Sequence, residues 1–248
     1  DLGTIMEGDT RIELGESEDG AIHLENLSIA HSNGRAVITD ASTVIGLGEK
    51  VLIVGESGTG KSTLIRALAG LWPWGSGSIT VPRGKSMAFV PQKPYLPIGS
   101  LRTVLLYPEA ELPVKDEVIV AALKRCGLGY MAKRLDETDA WDRILSGGER
   151  QRVAFARLVI QRPDIIIMDE ATSALDEDSQ NSLLGLLEAE LAHATVISVG
   201  HRPGLEEYHD RKITLEKRLA GAQLTSRRLG KSLWRLFRTK QAANDAAT

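Results

Sequence analysis

Residues 51–63 read VLIVGESGTGKST, and this stretch sets the frame for interpreting the rest of the 248-residue chain. The apolar run from Val51 to Val54 predicts a buried strand, and leucines recur at helical spacing from Ser62 to Leu71. Between the strand and the helix, residues 55–62 match the pattern G-x-x-x-x-G-K-[ST]. A strand, a glycine loop and a helix in this order form an α/β unit, which is the context that the pattern requires.

This glycine loop has the composition of a phosphate cradle. Its glycines allow backbone N–H groups to turn toward a polyphosphate, and the following helix directs its positive end at the same anion. Lys61 is expected to neutralise the β and γ phosphates, and Ser62 Oγ is expected to bind Mg²⁺. The alternative is a turn that merely joins a strand to a helix, which the Lys-Ser pair and both flanks argue against. The residues of the loop expected to bind the nucleotide are Gly55, Ser57, Gly58, Thr59, Gly60, Lys61, Ser62 and Thr63.

Two acidic residues end a second apolar strand, predicted from Asp164 to Glu170. Carboxylates at the end of a buried strand are costly unless they face a metal ion or a site. We expect Asp169 to be a Mg²⁺ partner, as such strand ends are in P-loop ATPases. We expect Glu170, on the opposite side of Asp169, to be the general base for a water aligned with the γ phosphate. The alternative, a strand end that simply reaches solvent, is weakened by the phosphate loop upstream.

Three near-continuous apolar strands separated by helices predict an α/β fold with a central, mainly parallel sheet. Together with the glycine-loop pattern, this fold resembles a P-loop NTPase core. The third of these strands is predicted from Thr195 to His201. Segments before the glycine loop predict an N-terminal antiparallel β subdomain, and the segment at about 100–158 predicts a helical subdomain. The boundaries we expect are a linker or flexible arm at 1–20, the folded domain at 21–225, and a basic, partly disordered tail at 226–248.

Composition limits the classes of function. The chain has 30 Lys plus Arg against 33 Asp plus Glu, so no bulk positive charge attracts nucleic acid, and no partner of that kind is expected. No window approaches the roughly 18 consecutive apolar residues of a spanning helix. Cys126 is the only cysteine, which excludes an internal disulfide and favours reducing surroundings. Because the chain does not open with Met, we expect either a piece of a longer polypeptide or a start at Met6.

Residues 145–152 read LSGGERQR, a Ser-Gly-Gly turn that precedes a predicted helix and forms a second anion nest. Two phosphate cradles in one chain suggest a site shared by two chains. Here the sequence resembles the nucleotide-binding domain of ATP-binding-cassette (ABC) transporters, whose signature loop contacts the γ phosphate held by the opposite subunit. Ser146, Gly147 and Gly148 match the phosphate-contacting residues of that loop, whereas Glu149 stands where the pattern usually has Gln.

The resemblance runs from about Ala21 to Glu216 and assigns roles to further residues. It implies that Gln92 senses Mg²⁺ and the attacking water, that Asp176 couples the two nucleotide sites, and that His201 is the switch histidine. Taken singly these residues are unremarkable, and their value lies in their order and spacing. The implied catalytic set is Glu170, His201, Lys61 and Gln92, and the implied cofactors are ATP and Mg²⁺, the metal ion being held by Ser62, Gln92 and Asp169.

His31 aligns with the position where ABC exporters usually place an aromatic residue that stacks on adenine. Imidazole stacks more weakly than phenol, so adenine contact at this position is expected to be weaker. The alternative, a solvated loop residue, fits the sequence equally well.

The sequence that flanks the motifs resembles that of two subgroups: the BacA and SbmA-related bacterial peptide transporters with fused ATPase domains, and the peroxisomal fatty-acyl ABC subfamily D. The resemblance implies a transmembrane domain fused before this one, a second copy as an ATP-dependent partner, and the cytoplasmic face of a membrane, most simply the bacterial inner membrane. ABC ATPases of DNA repair or of ribosomes usually carry a long coiled-coil insertion or zinc-binding cysteines, and this sequence has neither. A protein that only senses nucleotide would be expected to lack the general base, whereas Glu170 is present. Peptide, cobalamin-like and fatty-acyl cargo and the direction of transport are left open.

Residues 92–102 are predicted to form the dock for the membrane domain, because the family receives its coupling helices after this glutamine. The segment has an apolar surface formed by Tyr95, Leu96, Pro97, Ile98 and Leu101. The alternative is that these side chains fold into the core of the domain.

Overall fold

The computed structural model describes residues 11–109 and 113–230. The strands in these ranges are β1 (Glu13–Ser17), β2 (Ile22–Ala30), β3 (Ala36–Ile45), β4 (Lys50–Gly55), β5 (Gly75–Pro82), β6 (Met87–Val90), β7 (Gly99–Ser100), β8 (Thr138–Asp139), β9 (Ile165–Asp169), β10 (Thr195–Val199), β11 (Arg211–Glu216) and β12 (Gln223–Arg228). The α-helices are α1 (Lys61–Leu68), α2 (Leu101–Leu106), α3 (Asp116–Arg125), α4 (Trp141–Ile144), α5 (Gly147–Gln161) and α6 (Glu177–Glu190). Two 3₁₀ helices cover Gly129–Arg134 and Leu205–Tyr208.

A six-stranded sheet forms the centre of the fold, in the order β12-β11-β4-β10-β9-β6. All neighbours in it are parallel except the edge pair of β11 and β12. Every residue of β9 and β10 is buried, which explains their continuous apolar sequences. The predicted mainly parallel sheet is confirmed, and the glycine loop and the acidic pair both follow its strands at the same edge.

The two faces of this sheet pack against different layers because successive side chains along a strand point to opposite sides. Ile166 and Met168 of β9 join the apolar cluster of the helical subdomain. Ile165 and Ile167 join a second cluster, which contains α1 and the strands of the N-terminal sheet. The sheet edge that carries the predicted site is therefore supported on both sides.

The N-terminal sheet has the order β1-β5-β2-β3 and is antiparallel except between β1 and β5. The arm predicted at 1–20 is wrong for its second half, because Glu13–Ser17 pairs with β5 along its whole length. Ile12 is buried beside this strand, and its N–H donates to Pro73 O at 2.9 Å. The acidic side chains point outward, as suits an edge strand. The first ten residues lie outside the described ranges.

Two other predicted boundaries also need correction. The basic tail predicted from residue 226 begins too early, because β12 runs on to Arg228 and pairs with β11 through its backbone while its basic side chains stay exposed. The remainder of that tail, from residue 231, lies outside the described ranges. The first helix ends at Leu68 rather than Leu71, because Gly70 adopts a φ of 72° and turns the chain, which leaves Leu71 exposed.

The predicted helical subdomain is present, with α2, α3, α4 and α5 packed around a common apolar cluster. Its centre is the fully buried Trp141, whose indole N–H donates to Gly99 O at 3.1 Å. The last helix of this subdomain, α5, ends at Gln161, three residues beyond the predicted end at about residue 158. In the described ranges, none of the helices combines the length and the apolar character needed to cross a membrane.

Candidate functional site

The glycine loop lies between the end of β4 and the start of α1, as predicted. Gly60 precedes the helix with a φ of 92°, and a Cβ there would lie 2.3 Å from Val37 Cγ1. Only glycine satisfies both conditions. No side chain caps this end of α1. The first N–H groups of the helix are therefore available to an anion in the loop.

Lys61 folds back over the loop that precedes it. Its ammonium group donates to Gly55 O and to Glu56 O, both at 2.8 Å. Both carbonyl groups are neutral hydrogen-bond acceptors. Phosphate oxygens would bind the Lys61 ammonium group more strongly because they are charged. The Thr59 hydroxyl is buried and bonds Glu56 O at 2.9 Å, so its side chain shapes the loop from inside. Ser57 is exposed at the loop tip, and Thr63 is half-buried in the first turn of α1.

The predicted metal ligands meet where α1 faces the end of β9. Ser62 Oγ donates to Asp169 Oδ1 at 3.0 Å. Asp169 is only 6% exposed, and burial raises the pKa of its carboxyl, partly offset by the bond from Ser62. In the described part of the chain, no three His, Cys, Asp or Glu side chains cluster closely enough to form a metal cage. A hydroxyl and one carboxylate fit Mg²⁺, which usually keeps several waters and binds substrate phosphates.

Glu170 brings the other predicted catalytic residues together. Its carboxylate accepts a bond from Gln92 Nε2 at 3.0 Å, and its second oxygen lies 3.6 Å from Nδ1 of the exposed His201. Glu170 itself has a φ of 48°, a conformation that costs energy in a residue with a side chain. Its N–H donates to Val199 O at 3.0 Å, which holds this backbone in place. Two residues from separate segments thus converge on the Glu170 carboxylate.

The second predicted phosphate cradle starts α5. Ser146 is the N-cap, and its N–H and hydroxyl both donate to Glu149 Oε2 at 2.8 Å. The Glu149 N–H donates back to Ser146 Oγ at 3.2 Å, which completes a capping box. Among the hydrogen bonds of the described residues, none joins this turn to the glycine loop.

Asp176 lies beside the second cradle. It caps α6 by accepting a bond from Ser179 N at 2.7 Å, and that bond lowers the pKa of its carboxyl. A Cβ added to Gly147 would lie 3.3 Å from Ala174 Cβ, so residues 173–176 pack directly against the Ser-Gly-Gly turn. The exposed carboxylate of Asp176 and the exposed Ser146 are thereby fixed on neighbouring segments.

Sequence reasoning missed Gln151, which links three parts of the site. Gln151 is 1% exposed, and its amide donates to Gln92 O at 3.2 Å and to Ser173 Oγ at 3.3 Å. It also accepts a bond from Ala174 N at 2.9 Å. The available signal was its helical spacing with apolar residues of α5 such as Phe155, which predicts a buried polar group. Arg202 was missed as well: it donates to Thr172 O at 2.7 Å and to Leu175 O.

His31 lies on the surface, next to Trp72. Its exposed ring meets the edge of Trp72, with the centroids 6.1 Å apart, and Trp72 donates to Ala30 O at 2.9 Å. This pairing orients the imidazole on the surface. Adenine stacking by His31 stays a prediction.

The predicted docking segment divides into buried and exposed residues. Leu96 and Leu101 belong to the core of the helical subdomain, so for them the prediction of an outer surface is wrong. Tyr95 is 61% exposed and Ile98 is 84% exposed. Tyr95 meets Tyr107 edge to face at 5.3 Å, which extends the exposed apolar area.

Comparison with known proteins shows clear similarity. A family model described as "ABC transporter" matches residues 38–173. An "Uncharacterized ABC transporter ATP-binding protein" of Haemophilus influenzae is 40% identical over 192 residues, covering 77% of this chain and 32% of that protein. The "Lysosomal cobalamin transporter ABCD4" of Mus musculus is 39% identical over 210 residues, covering 78% of this chain and 34% of that protein.

A further relative and a solved structure agree with these matches. The "ATP-binding cassette sub-family D member 3" of Rattus norvegicus is 34% identical over 208 residues, covering 81% of this chain and 31% of that protein. The "Structure of a bacterial Atm1-family ABC exporter with ATP bound" aligns with a TM-score of 0.72 and 26% identity, over 98% of this chain and 44% of that chain. The predicted fold class and the resemblance to subfamily D are confirmed. The chain spans about a third of the length of these curated relatives.

Proposed function

This chain belongs to the ABC transporter family and carries its ATP-binding domain, and on that premise we propose that it hydrolyses ATP with Mg²⁺ to power transport through a membrane-spanning partner. The observation that carries the proposal is the convergence of Gln92 and His201 on the Glu170 carboxylate, beside the Ser62–Asp169 pair. A nucleotide-binding protein without turnover has no need of this arrangement.

Phosphate binding is assigned to the glycine loop and Lys61. Lys61 exchanges its two carbonyl partners for β and γ phosphate oxygens, while the N–H groups at the start of α1 bind the same anion. Ser62 and Asp169 would hold Mg²⁺, and Gln92 would complete its surroundings. When bound, the ion supplies positive charge that offsets the charge of the phosphates.

Hydrolysis is assigned to Glu170 as the general base. Gln92 donates to one carboxylate oxygen and holds the base in one orientation, and His201 lies 3.6 Å from the other oxygen. A base held in this way accepts the proton of a water aligned with the γ phosphate. His31 is proposed to contact the adenine.

The second cradle is assigned to the ATP of another copy. Ser146 is exposed at the start of the long helix α5, which continues with Gly147 and Gly148, and the described hydrogen bonds do not join this turn to the glycine loop of its own chain. In a head-to-tail pair of chains, each glycine loop faces the partner's Ser-Gly-Gly turn, so that both loops contact the same ATP. Asp176, on the neighbouring segment, would couple the two sites.

The membrane partner is proposed to dock on the exposed residues Tyr95 and Ile98, near the Gln92 loop. The match covers only about a third of each of these curated relatives, which leaves room in them for such a partner. We place the domain on the cytoplasmic face of a membrane, the bacterial inner membrane, with a transmembrane domain fused before it. Peptide, cobalamin-like and fatty-acyl substrates are the candidate cargo.

Disulfide trapping tests the two-chain site. Ser57→Cys and Ser146→Cys are introduced together, with Glu170→Gln to prevent turnover, and the chain is oxidised with and without ATP and Mg²⁺. We expect a covalent dimer that depends on ATP. Burial raises the pKa of the native Cys126 thiol to about 12, so this thiol stays unreactive.

Each single-cysteine variant serves as a control, because in a head-to-tail pair Ser57 meets Ser146 and not its own counterpart. Adding Lys61→Ala to the double-cysteine chain should abolish the trapped dimer. Nucleotide binding without any ATP-dependent dimer, at high protein concentration, would contradict the proposal.

A further inference from the structure

Glu149 differs from the other residues of its loop because its carboxylate is fully engaged by neighbours. One oxygen, Oε2, accepts bonds from Ser146 N and Ser146 Oγ, each at 2.8 Å. The other oxygen, Oε1, accepts a bond from the Tyr130 hydroxyl. Tyr130 belongs to the 3₁₀ helix Gly129–Arg134, so the carboxylate is held from two separate elements.

The Ser146 hydroxyl has a single hydrogen to donate. Its oxygen already accepts a bond from Glu149 N, so the hydrogen points to the Glu149 carboxylate. In the proposed two-chain site, the same hydroxyl must donate to a phosphate oxygen of the nucleotide on the second copy. It cannot make both bonds, so Glu149 and the phosphate compete for one hydrogen.

Glu149 is a strong competitor because it is charged. The bonds from Tyr130 and Ser146 lower the pKa of its carboxyl below the ordinary value, so it is ionised at neutral pH. Burial, followed by the nearby Glu149, raises the pKa of Tyr130 to about 12, so this hydroxyl keeps its proton. Arg152, three residues further along α5, also favours the ionised form. Its guanidinium donates to Cys126 O and to Ser179 Oγ.

We propose that Glu149, anchored by Tyr130, is a positioning residue that keeps the Ser146 hydroxyl bonded to its own helix until the nucleotide of a second copy displaces it. The inference rests on the proposed two-chain function. It assigns a specific effect to the residue at which this loop departs from the usual Gln. A glutamine at position 149 preserves the capping box but accepts the hydroxyl hydrogen more weakly, because it is neutral.

The test measures ATP-dependent dimer formation by sedimentation equilibrium, with every variant made in the Glu170→Gln chain. Glu149→Gln should tighten the dimer about fivefold, because a neutral acceptor replaces a charged one. Tyr130→Phe should tighten the dimer by a smaller factor. This variant removes the hydrogen bond that anchors the Glu149 carboxylate but leaves its charge unchanged. ATP binding by the separated monomer should be unchanged in both variants. Urea unfolding should stay cooperative, with a midpoint no higher than that of the parent because hydrogen bonds are weakened or lost, so a tighter dimer cannot be attributed to a more stable fold.

A double-mutant cycle separates the hydrogen bond from simple charge repulsion. In a Ser146→Ala background no hydroxyl remains to be held, so Glu149→Gln should have little effect there. An equal gain in that background, a Tyr130→Phe dimer no tighter than the parent, or a weaker Glu149→Gln dimer would overturn the inference. If the parent chain binds ATP but does not dimerise, the proposed function fails instead, so the two failures are distinguishable.

Discussion

Ser62 Oγ donates a hydrogen bond to Asp169 Oδ1 at 3.0 Å, joining two residues that are 107 positions apart in the chain. One follows the glycine loop at the start of α1, and the other is the last residue of β9. The strand before the glycine loop, β4, and the strand that ends at Asp169, β9, both pair with β10 in a parallel arrangement. Their carboxyl ends therefore meet at one edge of the sheet, and the proposed phosphate and metal positions follow from the topology.

Asp169→Asn should raise the Mg²⁺ concentration needed for half-maximal ATP hydrolysis by about tenfold or more, because a neutral amide replaces the carboxylate that is bonded to Ser62. Stability should not fall, since burial already disfavours the ionised form of Asp169. Titration of the hydrolysis rate with Mg²⁺ measures the effect. Asp142→Asn, an exposed change on α4, is the matched control. An unchanged Mg²⁺ requirement in Asp169→Asn would remove Asp169 from the metal site.

Lys61→Ala should weaken ATP binding by about tenfold or more, because the triphosphate loses its charge-assisted partner. Equilibrium binding of a fluorescent ATP analogue measures the change. Lys124→Ala removes an exposed lysine from α3 and should bind as the parent does. Parent-like affinity in Lys61→Ala would mean that the backbone N–H groups alone hold the nucleotide.

Gln151→Leu should lower the free energy of unfolding by about 1–3 kcal/mol, because Gln92 O and Ala174 N lose their buried partner. It should also slow hydrolysis, because Gln92 then loses its fixed position beside Glu170. Gln161→Leu is the matched control: it breaks bonds to Leu106 O and Tyr107 O, away from the site. A loss of stability in both variants and a loss of kcat in Gln151→Leu alone is the expected pattern. Equal kcat values in the two variants would argue against a positioning role.

Acid should destabilise the chain partly through Asp164. Bonds from Ser86 N–H, Lys85 and the Ser86 hydroxyl lower the pKa of Asp164 to about 2. The unfolded chain, with an ordinary pKa of about 3.9, takes up this proton first, so the stabilisation is present above about pH 4 and is lost as the pH falls toward about 2. Urea unfolding of the parent and of Asp164→Asn at a series of pH values measures it. The difference between the two chains should shrink with acid, and a constant difference from pH 5 to pH 2 would contradict the assignment.

The buried strands, and the site residues that directly follow them, could be predicted from the sequence alone. Asp169 and Glu170 were predictable because they end a continuous apolar run, and Lys61 and Ser62 because a local pattern requires them. The edge strands β1 and β12 were not, since their side chains are polar and exposed and only backbone bonds to β5 and β11 define them.

Long-range polar contacts were the second class that sequence reasoning missed. Gln151 and Tyr130 carry no local pattern that names their partners, because those partners lie on other segments of the folded chain. A buried polar residue on an apolar helix face was the only hint for Gln151. For Tyr130 the contact with Glu149 becomes visible only once the helical subdomain is packed.

Phosphate release from ATP by the parent chain and by Glu170→Gln tests the proposed chemistry most directly. We predict that the variant loses about 100- to 10,000-fold in kcat, because the amide keeps the bond from Gln92 but cannot accept a proton from water. Its affinity for ATP should stay within about threefold of the parent, since Glu170 is assigned no role in binding. Hydrolysis by Glu170→Gln at the parent rate would contradict the assignment of Glu170 as the base.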